Sequence, residues 1–365
     1  MILHSYFAKR FAITFGLILL VMFILVGLID FIDQTRRFSA QGLSLGARLE
    51  LSILNLPATI NEILPIIMIL ATVALFINLA RTSELVVTRA AGRSALSALA
   101  APALVAIVIG GLAVSMLGPM VAATSKRYSA LSETYRSGGS SALAISEDGL
   151  WLREGGAQGQ RVIRASRSNA DASVLYDVTF IAYDAGLGPV RRIDAASAAL
   201  VEGQWSLRQA KAWPLVTGLN AEANAIEHDT LMLASTLTLD RIRETLGTPS
   251  GVSIWEMRSF ITQLEQAGFS ARRHRVWLQS ELARPVFLVG MLLVAAAFTM
   301  RHTRFGGTGS AVLAALLLGF SLYFVRSFAQ ILGETGQIPV LLAAWAAPLA
   351  SVLLALGLLL RVEDG

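Results

Sequence analysis

Six apolar stretches, each about as long as a hydrocarbon core is thick, constrain this chain more than anything else in it. A helix needs roughly 20 consecutive apolar residues to cross ~30 Å of hydrocarbon. Such runs lie near residues 11–29, 60–80, 95–122, 285–300, 310–327 and 338–360. Inside lipid every backbone N–H and C=O must be satisfied within the protein, so the runs predict six transmembrane helices. The charged fraction agrees, at 15% of 365 residues against roughly 25% in soluble domains. Lys9 and Arg10 precede the first run as they would in a signal peptide. That run is long and ends without a small-x-small cleavage site, so it reads as a retained span.

The segment between the third and fourth runs follows a different pattern. "GLWLREG", "QRVIRA", "SVLYDVTFIAYD" and "QWSLRQAKAW" alternate apolar and polar residues and are rich in Val, Ile, Tyr and Trp. Short alternating runs separated by turn signals predict a β-sandwich or open roll. After them, Ser253-x-x-Glu256 opens an amphipathic stretch reaching Ala267, a capping-box signature for a helix leading back to the membrane. The predicted class is an α+β membrane protein. Residues 1–125 carry helices one to three, with an inner loop helix over 81–94. Residues 126–270 form the strand-rich domain, inserted between helices three and four, and residues 271–365 carry helices four to six.

Short loops on the inner side of a membrane collect Lys and Arg. Lys9 and Arg10, then Arg81, Arg89 and Arg93, then Arg301 and Arg304, then Arg361 mark one side, and the loop 330–337 on the other has no basic residue. The strand-rich domain is therefore expected outside, in the periplasm of a cell that has one. The bias is broken by an outer basic collar. It comprises Arg36 and Arg37 after span one, Lys126, Arg127 and Arg136 after span three, and Arg272, Arg273 and Arg275 before span four.

Catalytic constellations are missing from the sequence. There is no cysteine, and His4, His228, His274 and His302 lack metal-ligand spacing. No phosphate-binding loop of the G-x-x-x-x-G-K-[ST] type surrounds Lys9, Lys126 or Lys211, the three lysines. No aromatic-and-basic pattern suggests nucleic acid. Asp30, Asn61, Glu62 and Arg326 are expected near the outer ends of their spans, leaving no acidic midplane site for an ion-coupled transporter. No cofactor is expected. Two features carry alternatives. "RTSELVVTRAAGRS" is either an interfacial helix lying on lipid or a docking helix for an inner partner, with Leu85, Val86 and Ala90 on one side. The collar is either snorkelling and solvation or a clamp for a phosphorylated amphipath.

Taken in order, "DFIDQTRR", "SELVVTRAAG", "GLWLREG" and "IPVLLAAWAAP" resemble the LptF/LptG family, the permease subunits of the lipopolysaccharide export ABC transporter. The resemblance spans essentially the whole chain and leans toward the G-type rather than the F-type subunit. It implies a periplasmic β-jellyroll and a multi-pass place in the inner membrane of a Gram-negative bacterium. It also implies a non-catalytic subunit whose partners are an F-type paralogue in a heterodimer, a cytoplasmic ATPase dimer, a periplasmic jellyroll bridge protein and a single-span regulatory subunit. Glu84 matches the position that engages the ATPase, with Leu85, Val86 and Ala90 as apolar anchors. Arg36 and Arg37 match basic positions that face lipopolysaccharide phosphates, and Arg127 and Arg136 match more loosely. Position 30 departs from the family, which has a basic residue where this chain has Asp30. A rival reading from another class is a non-transporting scaffold that anchors an outer adaptor domain.

Overall fold

The computed structural model describes residues 2–39, 43–84, 94–137, 143–146, 149–156, 159–168, 173–184, 188–201, 203–215, 220–235, 249–266, 270–300 and 308–364. It divides into two compact units, Met1–Tyr128 with Arg272–Gly365, and Ser129–Ala271. The ends that the charge bias assigns to the inside are called inner below.

The first unit is helical. Its elements are α1 (Ile2–Arg37), α2 (Leu45–Arg81), α3 (Ala95–Leu112), a π-helical turn (Ala113–Leu117) leading into α4 (Gly118–Ser137), α6 (Arg272–Thr299), α7 (Thr308–Glu334) and α8 (Val340–Asp364). Among the described residues six helices are long and apolar enough to cross a membrane, α3 and α4 making one continuous span. Every expected span is present, yet the helices overrun the apolar runs. α2 begins fifteen residues before the expected start, so Asn61 and Glu62 sit mid-helix rather than at its outer end. α6 begins at Arg272, well before residue 285, and carries Glu281 and Arg284 inside it. The physical reason is that apolar runs report the lipid-facing length, whereas helical hydrogen bonding continues through flanking polar turns. Ser44 and Ser94 cap α2 and α3 by accepting the N–H groups of Ala47 and Ser97.

α6 is the centre of the bundle. Phe287, Leu288, Met291, Leu292, Val294, Ala295 and Ala296 are fully enclosed, as expected of a helix that is apolar all round. It packs against α2, α3, α7 and α8. Close approach is possible because small residues line the crossings. A Cβ on Gly290 would meet Ser351 Oγ at 2.0 Å, and one on Gly110 would meet the Pro285 Cα at 2.6 Å. The inner half of α1 is enclosed along one stripe, where Phe7, Phe11 and Phe15 enter the core, and Gln34 is buried at the helix's outer end. Leu17, Leu20, Val21, Ile24, Leu28 and Ile32 remain exposed between them.

Among its described residues the second unit holds a seven-stranded antiparallel sheet in the order β1-β2-β3-β4-β5-β6-β7. Its strands are Leu143–Ser146, Gly149–Gly156, Gly159–Ser168, Val174–Asp184, Gly188–Val201, Gln204–Pro214 and Ile226–Ala234. A short helix, α5 (Met257–Gln266), follows, beginning just after the expected capping-box Glu256. Two rows of buried residues cross one face in register: Leu152, Ile163, Phe180, Ile193 and Ala212, then Leu150, Ala165, Val178, Ala195 and Ala210. The sheet is creased. Ser166, Asp177, Ala196, Gln209 and Asp229 are skipped in the pairing of successive strands. Asp177 and Gln209 have φ of 51°, the left-handed region that an L side chain seldom adopts. At the crease the inward alternation slips by one residue, so Leu175, Ala198 and Leu207 stay on the buried face. Beyond it the sheet curls until Arg161 of β3 donates to the Ala234 carbonyl of β7 at 3.0 Å. Phe180 and Trp205 meet edge to face inside, 6.0 Å apart. The result is the open, jellyroll-like roll expected, with an apolar interior.

Candidate functional site

Two clusters of the helical unit contain Arg36, Arg37, Arg127 and Glu84 among the predicted site residues. At the outer ends, α1, α2 and α4 converge. The Gln34 amide, buried among them, donates to the Tyr128 hydroxyl at 3.1 Å. On α1, Asp30 accepts from the Asn55 amide at 2.6 Å, and its second oxygen is buried without a hydrogen bond. Position 30 thus carries a carboxylate turned onto α2. One turn above Ile32, Arg36 and Arg37 are exposed. Arg37 Nε lies 3.2 Å from Asp33, and Arg127 Nη2 lies 2.7 Å from Glu50 of α2. Both pairs are largely exposed, and such pairs contribute about 0–1 kcal/mol. A phosphate carries more charge and accepts two parallel N–H bonds from a guanidinium, so it competes well with either carboxylate.

The structure therefore brings Arg36, Arg37 and Arg127 to one rim. Arg136 lies in the last turn of α4, and its side chain is outside the described residues. Arg272, which the sequence places in the collar, is instead committed inward: Nε donates to the Gly333 carbonyl at 2.7 Å and Nη2 to the Ile338 carbonyl at 2.5 Å. It ties off the turn between α7 and α8.

At the inner end, α2 stops at a turn in which Ser83 has φ of 59°, a conformation usually left to glycine after a helix. That turn directs Glu84 back toward α1. Arg10 Nη1 donates to Glu84 Oε1 at 2.5 Å, the Tyr6 hydroxyl donates to Oε2 at 2.9 Å, and Arg10 also donates to the Tyr6 oxygen. The Thr82 hydroxyl stands 2.9 Å from Oε1 and shares its single proton with the Asn78 carbonyl at 3.0 Å. Partial burial pushes the Glu84 carboxyl up, but the bonds from Arg10, Thr82 and Tyr6 outweigh it and hold the group below the usual carboxylate range. Leu85, Val86 and Ala90, the expected anchors, lie outside the described residues.

Sequence reasoning missed two polar assemblies. The Tyr6–Arg10–Glu84 cluster joins residues 74 and 78 positions apart, and no local pattern announces it. In mid-bundle, Arg284 forms an ion pair with Glu281 and donates to the Asn61 side chain. The i, i+3 spacing of Glu281 and Arg284 was a signal available for that pair. Nearby, Arg326 of α7 places its guanidinium 5.1 Å from the centre of the Phe287 ring.

Comparison with known proteins adds a separate finding. The family model for the lipopolysaccharide export system permease LptF/LptG matches residues 5–361. The chain is similar to the lipopolysaccharide export system permease protein LptG of Haemophilus influenzae, at 26% identity over 364 residues covering 96% of each chain. It is similar also to the LptG protein of Escherichia coli K12, at 24% identity over 368 residues, 99% of this chain and 98% of that one.

Proposed function

The chain belongs to the LptF/LptG family of lipopolysaccharide export permeases, and from that premise we propose that it is the G-type membrane subunit of a lipopolysaccharide-exporting ABC transporter. In this reading it pairs with an F-type paralogue in the inner membrane. A cytoplasmic ATPase dimer sits beneath, and the roll faces the periplasm, where a jellyroll bridge protein continues it. A single-span regulatory subunit completes the assembly.

The observation that carries the reading is α1, an apolar wall that ends in a basic rim. Leu17 to Ile32 offer methyl and methylene surface at the level of acyl chains, and Arg36 and Arg37 follow one turn above. That order of surfaces matches an amphipath with phosphates over hydrocarbon. Lipopolysaccharide enters from the outer leaflet, its acyl chains on apolar walls and its phosphates on Arg36, Arg37, Arg127 and Arg136. Closure of the ATPase dimer draws the inner loops together, collapses the cavity and lifts the lipid onto the apolar interior of the roll. Extraction exposes methylenes at roughly 0.8 kcal/mol each, so the lift needs an outside energy source. Glu84 and the residues after it receive that work from the ATPase.

Two measurements test this in cells. Photocrosslinking residues placed at positions 36 and 127 should form ATP-dependent adducts with lipopolysaccharide. No adducts in a folded, partner-bound complex would favour the scaffold reading. Separately, Glu84→Lys should lower ATPase co-purification about tenfold, the loss of a charge-assisted contact. Normal co-purification would remove Glu84 from the docking role.

A further inference from the structure

Glu84 is not presented as a lone docking point; it is already bound to the base of α1. We propose that Tyr6 and Arg10 are positioning residues that clasp Glu84 and carry ATPase-driven motion of the inner loop directly into α1. The inference rests on the reading of Glu84 as the residue the ATPase engages.

Three observations lead there. First, the carboxylate takes donors from Tyr6 and Arg10 on different oxygens, so its plane is held as well as its position. Arg10 is in turn seated against the Tyr6 ring, with its guanidinium carbon 5.5 Å from the ring centre. Second, the turn that aims Glu84 uses a non-glycine left-handed residue, Ser83. Such strain persists only where the surroundings hold it in place. Third, Phe7, Phe11 and Phe15 seat the inner half of α1 in the bundle core, while the exposed face above runs up to Arg36 and Arg37. A continuous 36-residue helix is about 54 Å long. A tilt of roughly 10° about Phe15 would sweep its outer end by about 6 Å, given the 1.5 Å rise per residue. Such a tilt must also slide α1 past Asn55 and Tyr128, which bind Asp30 and Gln34. Motion at the clasp is therefore felt at the collar, through one element and without passing through α6.

The test uses the full transporter complex in proteoliposomes holding lipopolysaccharide. It compares wild type, Arg10→Ala, Arg10→Lys, Tyr6→Phe and Glu84→Ala by two readouts: ATPase retained on the permease, and lipopolysaccharide released per ATP hydrolysed. Arg10→Ala should retain the ATPase yet cut release per ATP about tenfold, because Glu84 survives but is no longer tied to α1. Arg10→Lys should recover much of the loss, since it keeps the charge. Tyr6→Phe should fall between them. Undiminished release per ATP in Arg10→Ala would overturn the clasp, as would loss of the ATPase itself, which would make Arg10 part of docking. If Glu84→Ala keeps the ATPase, it is the docking reading that fails, and the Arg10 series still reports on the clasp through release per ATP.

Discussion

Arg284 illustrates the cost of a charge inside a helical bundle and how that cost is met. A lone ion at such depth loses several kcal/mol of hydration. Glu281, one turn earlier on α6, supplies the counter-charge, and Asn61 on α2 accepts another of its N–H groups. Both charged side chains are at least nine-tenths enclosed. Removing one partner should therefore be worse than removing both. Arg284→Met alone should lower stability by about 3–5 kcal/mol, whereas Glu281→Leu with Arg284→Met should be close to neutral. Thermal unfolding of the two variants in detergent distinguishes them, and equal losses would show that the pair is not acting as a unit. The same contrast separates this pair from Arg37–Asp33 and Arg127–Glu50, whose exposure leaves them weak and exchangeable. Residues that look alike in composition thus differ in setting, one pair enclosed in the bundle and the others exposed to solvent.

Among the elements, α6 depends on what it lacks. Gly290 lets α8 come so near that a methyl group would overlap Ser351. Gly290→Ala should cost about 1–3 kcal/mol by overpacking, and adding Ser351→Gly should restore most of it, because both Oγ and Cβ of the obstructing side chain disappear. Melting temperatures of the single and double variants check this, and no rescue would mean that the α6–α8 spacing is set elsewhere. The elements also mark how far the sequence could be read. All six spans were legible because their apolar length has no other use. Their ends were not, since the α2 turns before residue 60 and the α6 turns before Pro285 are polar yet still helical. Strands β2, β3, β4 and β6 alternate openly, but β5, GPVRRIDAASAALV, does not stand out because small alanines fill its inward positions. The collar was legible as clustered charge that breaks a bias. The clasp was not, because its residues meet only after α1 and α2 have packed.

At the scale of the whole molecule, the roll and the bundle rest on opposite geometries. The roll keeps its apolar face continuous by bending through Asp177 and Gln209, both left-handed. Glycine at either place should be tolerated, relief of strain of roughly 1–2 kcal/mol being offset by lost chain entropy of about 0.5–1 kcal/mol. Asp177→Val should instead lower stability by at least 1 kcal/mol, because a β-branched residue resists that backbone. Protease resistance of the domain in the full chain reads both variants, and equal tolerance of valine and glycine would mean that the crease bears no strain. Each strand of the roll pairs with its neighbours in sequence, so its sheet builds through near contacts and can form early. The bundle cannot. The helix at its centre, α6, which packs against α2, α3, α7 and α8, is the fourth span to leave the ribosome, after α1, α2, α3 and the entire roll. Until it arrives, α2 and α3 have chiefly α1 to pack against. Insertion of the first three spans and completion of the bundle are therefore separate events in the life of this chain, and the second waits for its centre to be synthesised.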